Sequence, residues 1–405
     1  MPWYDPWIYG TRFHKSNLWW VDGWNWRKEV RETMNLAEKI IVKDDTIREG
    51  HETPGAKLSL DEKIELAKLL DEAGIPEAEI GYAAGIREDA EAFKAIKAEN
   101  LKLKLSSHAR MYAPDIKKEV ENIVSVGADH LNFLLVPNPE LKTKKFTLER
   151  IREGISYAKD QGVSVAFGTG RIGPRYWKIF TEIAIDAGVD RIVVYDGNGC
   201  MGPTAFKDCI KYVKSLVGAI PIEVHAHQDL GLATATTLAA IEGGAEVVDV
   251  IINGLGDRAG NASLEEVVLA CEMLYEVPTG VKLEKLYNLC KTVERMMGVP
   301  IQPNKAVCGR NCFIHESDLH VEQLLAGSWF IWELYQPQVV GQTRSIVFGT
   351  TTLQSRALRI KLEKMGLEAS EKQIEQIQTR IRELLKKEEF VKEDKLEEIA
   401  REILK

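Results

Sequence analysis

No run of about 18 apolar residues, the length needed to cross a bilayer, occurs in the chain. Its start also lacks a basic stretch leading into an apolar one, so neither a membrane span nor an export signal is expected. Cysteine is sparse. Cys200, Cys209, Cys271, Cys290, Cys308 and Cys312 are scattered through 405 residues, which excludes a small disulfide scaffold and predicts a reducing, cytoplasmic setting. Positive charge is in deficit, with 53 Lys and Arg against 61 Asp and Glu and a net charge of -8. That balance disfavours nucleic acid as a partner, because such binding needs clustered cations against phosphates, while leaving room for small anions. Internal repeats and low-complexity linkers are missing too. What is present, 45% hydrophobic and 28% charged residues, is the balance of a globular protein with a large core. Aromatics crowd the first 26 residues, MPWYDPWIYGTRFHKSNLWWVDGWNW, which read as an arm packed on its own or a neighbouring subunit.

From residue 39, short β-rich apolar runs alternate with amphipathic helical stretches, the pattern of a parallel sheet covered by helices. The runs are KIIVKDD (39–45), AEIGYA (78–83), LKLKLSS (101–107), HLNFLLVP (130–137), VSVAFGT (163–169), RIVVYDG (191–197), PIEVHAH (221–227) and VVDVIING (247–254). Eight strands close a barrel, so the expected fold is α/β, a (β/α)₈ TIM barrel with a C-terminal helical subdomain. A doubly wound open sheet is the alternative, disfavoured because polar residues follow almost every strand as they would around one mouth. The expected organisation is an aromatic arm at 1–38, the barrel at 39–275, an irregular helical segment at 276–345 and a charged helical subdomain at 346–405.

His225 and His227 end the seventh strand two residues apart, so both imidazoles point to one side and can reach one cation. Core or hydrogen-bonding histidines are the alternative. Glu49 follows the first strand and places a carboxylate at the same mouth. One carboxylate and two imidazoles leave positions open for a bidentate oxygen substrate, which suits catalysis with Mg, Mn or Zn. Arg48 can stabilise an alkoxide or enolate, or sit in an ordinary salt bridge. After the eighth strand, Asn253-Gly254-Leu255-Gly256-Asp257-Arg258-Ala259-Gly260-Asn261 lets backbone approach a ligand closely, with Asn261 offering an amide oxygen to the metal; a plain tight turn is the alternative.

The motifs D-x-T-I-R-E-G-x-x-x-P-G (44–55), H-x-H-x-D-x-G (225–231) and G-D-R-A-G-N-A-x-L-E-E (256–266) resemble the isopropylmalate and homocitrate synthase group of the DRE-TIM metallolyase superfamily. The resemblance runs from about residue 40 to 370. It implies that Glu49, His225 and His227 bind a divalent metal with Asn261 at or near it, and that Arg48 is catalytic. G-R-N-C-F-I-H-E-S-D-L-H-V (309–321) is similar to a helical insertion that reaches into the partner subunit's barrel, and Y-Q-P-Q-V-V-G (335–341) resembles the neighbouring tyrosine-bearing stretch. His315, His320 and Tyr335 are therefore carry-over candidates for catalysis, and shared active sites imply a homodimer. Residue chemistry alone also allows a zinc cluster of Cys308, Cys312, His315 and His320. The implied reaction is a Claisen-type condensation of an acyl-CoA, acetyl-CoA foremost, with a 2-oxo acid, giving a 2-hydroxy di- or tricarboxylate and CoA.

Four places depart from the family pattern. Glu52 stands where Gln is usual, and Phe167-Gly168-Thr169-Gly170-Arg171-Ile172-Gly173 replaces acidic chemistry after the fifth strand. Losing a carboxylate and gaining Arg171 favours a substrate with an additional anionic group, with pairing of Arg171 to Glu52 or Glu79 as the plainer alternative. Asp196-Gly197-Asn198-Gly199 replaces Asp-Thr-x-Gly, with Asp196 taken as substrate-binding. His108 and Arg110, at the end of the third strand, are candidates for orienting a carboxylate. The rival functions are a hydroxymethylglutaryl-CoA lyase-like carbon–carbon lyase or aldolase, the lyase disfavoured because the loop after the eighth strand has no cysteine, and a non-catalytic barrel acting as a binding or assembly module. The chain stops near residue 405, so the regulatory domain carried by many isopropylmalate synthases is not expected.

Overall fold

A computed structural model describes residues 11–13, 17–136, 144–349 and 355–405. Parts of the aromatic arm (1–10 and 14–16) and Pro137 of the fourth apolar run lie outside the described residues. Two compact units are present, Gly23–Ile301 and the pair Met1–Asp22 with Gln302–Lys405.

In the first unit, β1 (Ile41–Asp44), β2 (Glu77–Gly81), β3 (Lys104–Arg110), β4 (His130–Leu135), β5 (Ser164–Gly170), β6 (Arg191–Asp196), β7 (Ile222–Ala226) and β8 (Val247–Val250) form a closed parallel barrel. The expected eight strands are all present. Closure comes from β8 against β1, with Val247 opposite Ile41 and Val250 opposite Asp44. Parallel strands need crossovers, which are supplied by α1 (Leu60–Ala73), α2 (Arg87–Ala98), α3 (Ile116–Ser125), α4 (Lys144–Asp160), α5 (Pro174–Asp186), α6 (Pro203–Val217) and α7 (Ala233–Gly243), with α8 (Leu264–Ala270) and α9 (Leu286–Met297) after the last strand. Local chemistry sets their ends. Ser59 and Glu62 make a reciprocal capping box at the start of α1, Gly74 closes it in the left-handed region, and Pro174 and Pro203 open α5 and α6.

Strand alternation sorts the side chains. One parity carries the apolar residues buried behind the wall, among them Val42, Ile80, Leu131, Phe133, Phe167, Val194 and Val224. The other parity carries much of the buried charge, beside apolar positions such as Ala166, Val193 and Tyr195. Lys43 Nζ lies 2.6 Å from Glu79, 2.9 Å from Glu223 and 3.3 Å from Asp249, and Arg191 bridges Glu77 and Glu223. The barrel is thus packed with ion pairs leading up to its mouth.

The second unit has a small sheet of β9 (Ile314–His315), β10 (Ser345–Phe348) and β11 (Val391–Lys392), with α10 (Asp318–Leu325), α11 (Ser355–Lys364), α12 (Glu371–Leu384) and α13 (Glu393–Ile403). Its own core joins Val321, Phe348, Leu358, Leu362, Ile377, Ile381, Val391 and Leu396. The expected helical character holds, while the sheet is an addition: strands this short leave no alternation to read. The described arm residues up to Asp22 belong here, whereas those from Gly23 on belong to the first unit, where Arg31 donates to the Leu274 and Tyr275 carbonyls. Trp19 pairs with Tyr335 in an antiparallel bridge and the Trp20 indole donates to the Glu333 carbonyl at 2.7 Å. Among the described residues no helix is long and apolar enough to cross a membrane.

Candidate metal centre and active site

The loop after β1 is folded by its own side chains. Asp44 accepts from the backbone N–H (3.0 Å) and hydroxyl (2.7 Å) of Thr46, whose hydroxyl in turn accepts from Ile252 N–H at 3.0 Å, tying this loop to β8. Glu49 is thereby turned to face β7. Its carboxylate lies 3.2 Å from His227 Nε2 and 3.5 Å from His225 Nε2, and the two Nε2 atoms are 3.1 Å apart. All three residues are buried. The two imidazole nitrogens are within hydrogen-bonding distance, and the same spacing fits adjacent ligands about 2.1 Å from one ion.

The surroundings favour a cation. Asp45, Glu49, Glu77, Glu79, Glu223 and Asp249 are buried in this region, more carboxylates than the buried Lys43 and the largely buried Arg48 and Arg191 neutralise. Asn261 donates its amide N–H to Glu49 (3.1 Å) and to the Leu255 carbonyl (3.2 Å), leaving its own buried Oδ1 without a hydrogen-bond partner. An unsatisfied buried amide oxygen beside a Glu and two His fits a metal-binding set. Gly256 makes room for it, because a Cβ there would meet Asn261 Nδ2 at 2.1 Å. Behind the triad, Asp249 Oδ2 is 3.1 Å from His225 Nδ1, the carboxylate–imidazole pairing that orients a ligating histidine.

Protonation follows from these contacts. Burial opposes charge on His225, but the Glu49 and Asp249 carboxylates outweigh it and hold its pKa well above the usual value. Burial, the charged His225 and the Arg258 guanidinium push His227 down to about 4. Burial likewise opposes the Glu49 carboxylate, yet His225 and Arg48 hold it ionised, well below the usual range.

Arg48 is anchored on three sides, to Glu49 (2.8 Å), to Glu79 (3.1 Å) and to Asp45 through two nitrogens. It lines two adjoining cavities. The smaller, about 260 Å³, is walled by Glu49, His225, His227, Arg171, Tyr195 and Arg258. The larger, about 700 Å³, includes His51, Leu58, Lys63, Tyr82, Ile86 and Arg110, and both share Glu52 and His108. Arg110 stacks 4.4 Å over Tyr82, and the edge of His108 meets the same ring. Arg171 pairs at 2.9 Å with Asn198, so neither Glu52 nor Glu79 is its partner. Asp196 is turned away: it has the parity of Ile192 and Val194, and its oxygens accept from Cys200 N–H and Met201 N–H at 3.0 Å each, bracing the loop after β6.

In the second unit His315 Nε2 lies 3.0 Å from Glu333, which Arg344 also binds at 2.7 Å. His320 stacks on Trp332 with centroids 3.7 Å apart, 6.0 Å from His315, and burial together with His315 lowers its pKa. Tyr335 packs edge-on against Phe313. Among the described residues no potential metal-binding group gathers Cys308, Cys312, His315 and His320; the Cys312 thiol instead donates to the Lys305 carbonyl. The sequence reading missed Lys43, Asp45 and Asp249, although a charged residue inside an apolar strand, as in V-V-D-V, is the signal that marks an inward position.

Comparison with known proteins adds the family. Residues 39–293 match the HMGL-like family and residues 307–389 the homocitrate synthase post-HMGL domain-like family. The chain belongs to the HMGL-like family. It thereby falls within the DRE-TIM metallolyase superfamily, as its motifs led us to expect. Similar curated proteins include a homocitrate synthase of Methanopyrus kandleri, 37% identical over 93% of this chain and 96% of that protein. A putative (R)-citramalate synthase of the same organism is 36% identical over 93% and 75%. The 2-isopropylmalate synthase of Methanocaldococcus jannaschii is 35% identical over 93% and 74%. Among solved structures, the hydroxymethylglutaryl-CoA lyase of Pseudomonas aeruginosa superposes with a TM-score of 0.58 at 20% identity, over 66% of this chain and 96% of that one, a likeness of fold alone.

Proposed function

We propose that this protein condenses an acyl-CoA, acetyl-CoA foremost, with a 2-oxo acid to give a 2-hydroxy di- or tricarboxylate and free CoA. The convergence of Glu49, His225 and His227 beside Arg48 carries the reading, supported by relatives named as synthases. A divalent cation, Mg, Mn or Zn, held by Glu49, His225 and His227 with the Asn261 oxygen, would supply polarisation of the ketone and a seat for its neighbouring carboxylate.

The chain's own residues do the rest. Arg48, held by Asp45, Glu49 and Glu79, steadies negative charge growing on the former ketone oxygen without needing to reorganise. The smaller cavity takes the oxo acid and the larger the thioester arm, with Glu52, His108 and Arg110 around the join. A base removes a proton from the carbon next to the thioester carbonyl, and the resulting carbanion bonds to the ketone carbon, whose oxygen becomes an alkoxide and is then protonated. Water finally cleaves the thioester, leaving a carboxylate and the CoA thiol. His315 is the preferred base, since Glu333 orients its ring as a carboxylate orients the histidine of other base pairs, with His320 and Tyr335 as nearby acid–base groups. We place this segment in the active site of a homodimer's other subunit and the reaction in the cytoplasm, where free thiols like the six here persist.

Thiol release tests the reading. With a panel of acyl-CoAs and 2-oxo acids, we expect CoA to appear only when both substrates and a divalent cation are supplied. Cleavage of a hydroxyacyl-CoA without any condensation would replace the synthase by a lyase.

A further inference from the structure

Three guanidinium groups line the smaller cavity, and they differ in how their charge is met. Arg48 is bound by Asp45, Glu49 and Glu79. Arg258 is bound by Asp229 at 2.8 Å and Asp257 at 2.7 Å. Arg171 meets only the neutral Asn198 amide oxygen, at 2.9 Å, and no carboxylate among the described residues. Among the described residues it is the guanidinium of this cavity that no carboxylate meets.

The backbone puts it there deliberately. A Cβ on Gly170 would lie 2.1 Å from the Tyr195 carbonyl oxygen, and one on Gly168 would lie 2.4 Å from the Tyr195 ring, so the inward positions at the end of β5 admit no side chain. The first side chain able to enter the cavity from β5 is Arg171, in a left-handed backbone conformation (φ 58°) that non-glycine residues adopt reluctantly. Such a conformation at a ligand cavity points to a function for the side chain it aims. Asn198, from the loop after β6, fixes one edge of the guanidinium and leaves the remaining donors free.

We propose that Arg171 is a specificity-determining residue that binds a second carboxylate on the oxo acid, making 2-oxo dicarboxylates the substrate class. This rests on the condensation reading above, because the metal centre then fixes one end of the acid and Arg171 the other. A guanidinium offers two parallel donors to a carboxylate, whereas an alkyl end would leave this solvent-exposed group bonded only to Asn198 and water. The cavity of about 260 Å³ suits a short dicarboxylate.

The test compares oxaloacetate and 2-oxoglutarate with 2-oxobutanoate and 2-oxoisovalerate, by thiol release with acetyl-CoA and Mg²⁺ and, independently, by calorimetric binding to the Mg²⁺-loaded enzyme. The expected result is a dicarboxylate preference in kcat/KM and in affinity that falls by about ten- to hundredfold in Arg171→Gln, chiefly through KM, and is partly kept in Arg171→Lys. A preference for the branched or linear monocarboxylates, equal use of both classes, a ratio unmoved by Arg171→Gln, or no binding of any acid overturns the assignment. Dicarboxylate binding that Arg171→Gln abolishes, without thiol release from any pair, keeps the assignment and sinks the condensation.

Discussion

His225 and His227 stand two residues apart on one strand and titrate in opposite directions, because Asp249 and Glu49 flank the first while His225 and Arg258 face the second. The consequence is a proton that the cation must displace. The Glu49 and Asp249 carboxylates raise the pKa of His225 well above its ordinary value, which predicts that metal binding releases a proton from this imidazole. Titrating Mn²⁺ in two buffers of different ionisation enthalpy measures that proton directly; heats independent of buffer would contradict it. The stability linkage has opposite signs at the two imidazoles. The raised pKa of His225 contributes stability that is full below about 6.5 and is lost as pH climbs through its folded value. His227, depressed to about 4, works the other way, and its contribution is lost as pH falls from about 6.5 toward 4. Asp249→Asn should weaken metal affinity roughly ten- to hundredfold by freeing the His225 ring, as calorimetry would show. The triad was legible in the sequence because its spacing reports geometry directly. The acid in V-V-D-V signals an inward position, but its pairing with His225 could not be read, since that needs β7 beside β8.

Capping and parity decide what each element presents. The Ser59–Glu62 box at the start of α1 predicts that Ser59→Ala lowers stability by about 1 kcal/mol in denaturant unfolding, with metal affinity unmoved. Gly256→Ala should instead weaken metal binding, because its Cβ would occupy the place of the Asn261 amide; unchanged Mn²⁺ affinity in that variant would remove Asn261 from the site. The barrel strands could be found from sequence because β-rich runs recur between helical periods. Asp196 shows the limit of reading a strand end as a mouth position. One residue of parity separates it from the inward Tyr195, and the loop's own N–H groups claim it. The strands of the second unit, two to four residues long, carry no such pattern.

At the scale of the molecule there are two folded units, one with an ion-paired barrel interior inside an apolar shell and one with an aliphatic core. Lys43 holds the interior of the barrel unit together. Replacing it with Met strands Glu79, Glu223 and Asp249 without their shared cation, and should cost about 3–5 kcal/mol in the unfolding of that unit. Such a core orders the charged groups beneath the mouth in place before any ligand arrives, which is the preorganisation that electrostatic catalysis requires. The central claim, that Glu49, His225 and His227 hold the cation on which condensation depends, is tested most directly by thiol release from acetyl-CoA and a 2-oxo acid after chelation and re-addition of Mg²⁺ or Mn²⁺, in the native chain and in His225→Ala. The account predicts that activity vanishes with chelator, returns with metal in the native chain and does not return in the variant. Full activity in the chelated native chain, or in the variant, would contradict it.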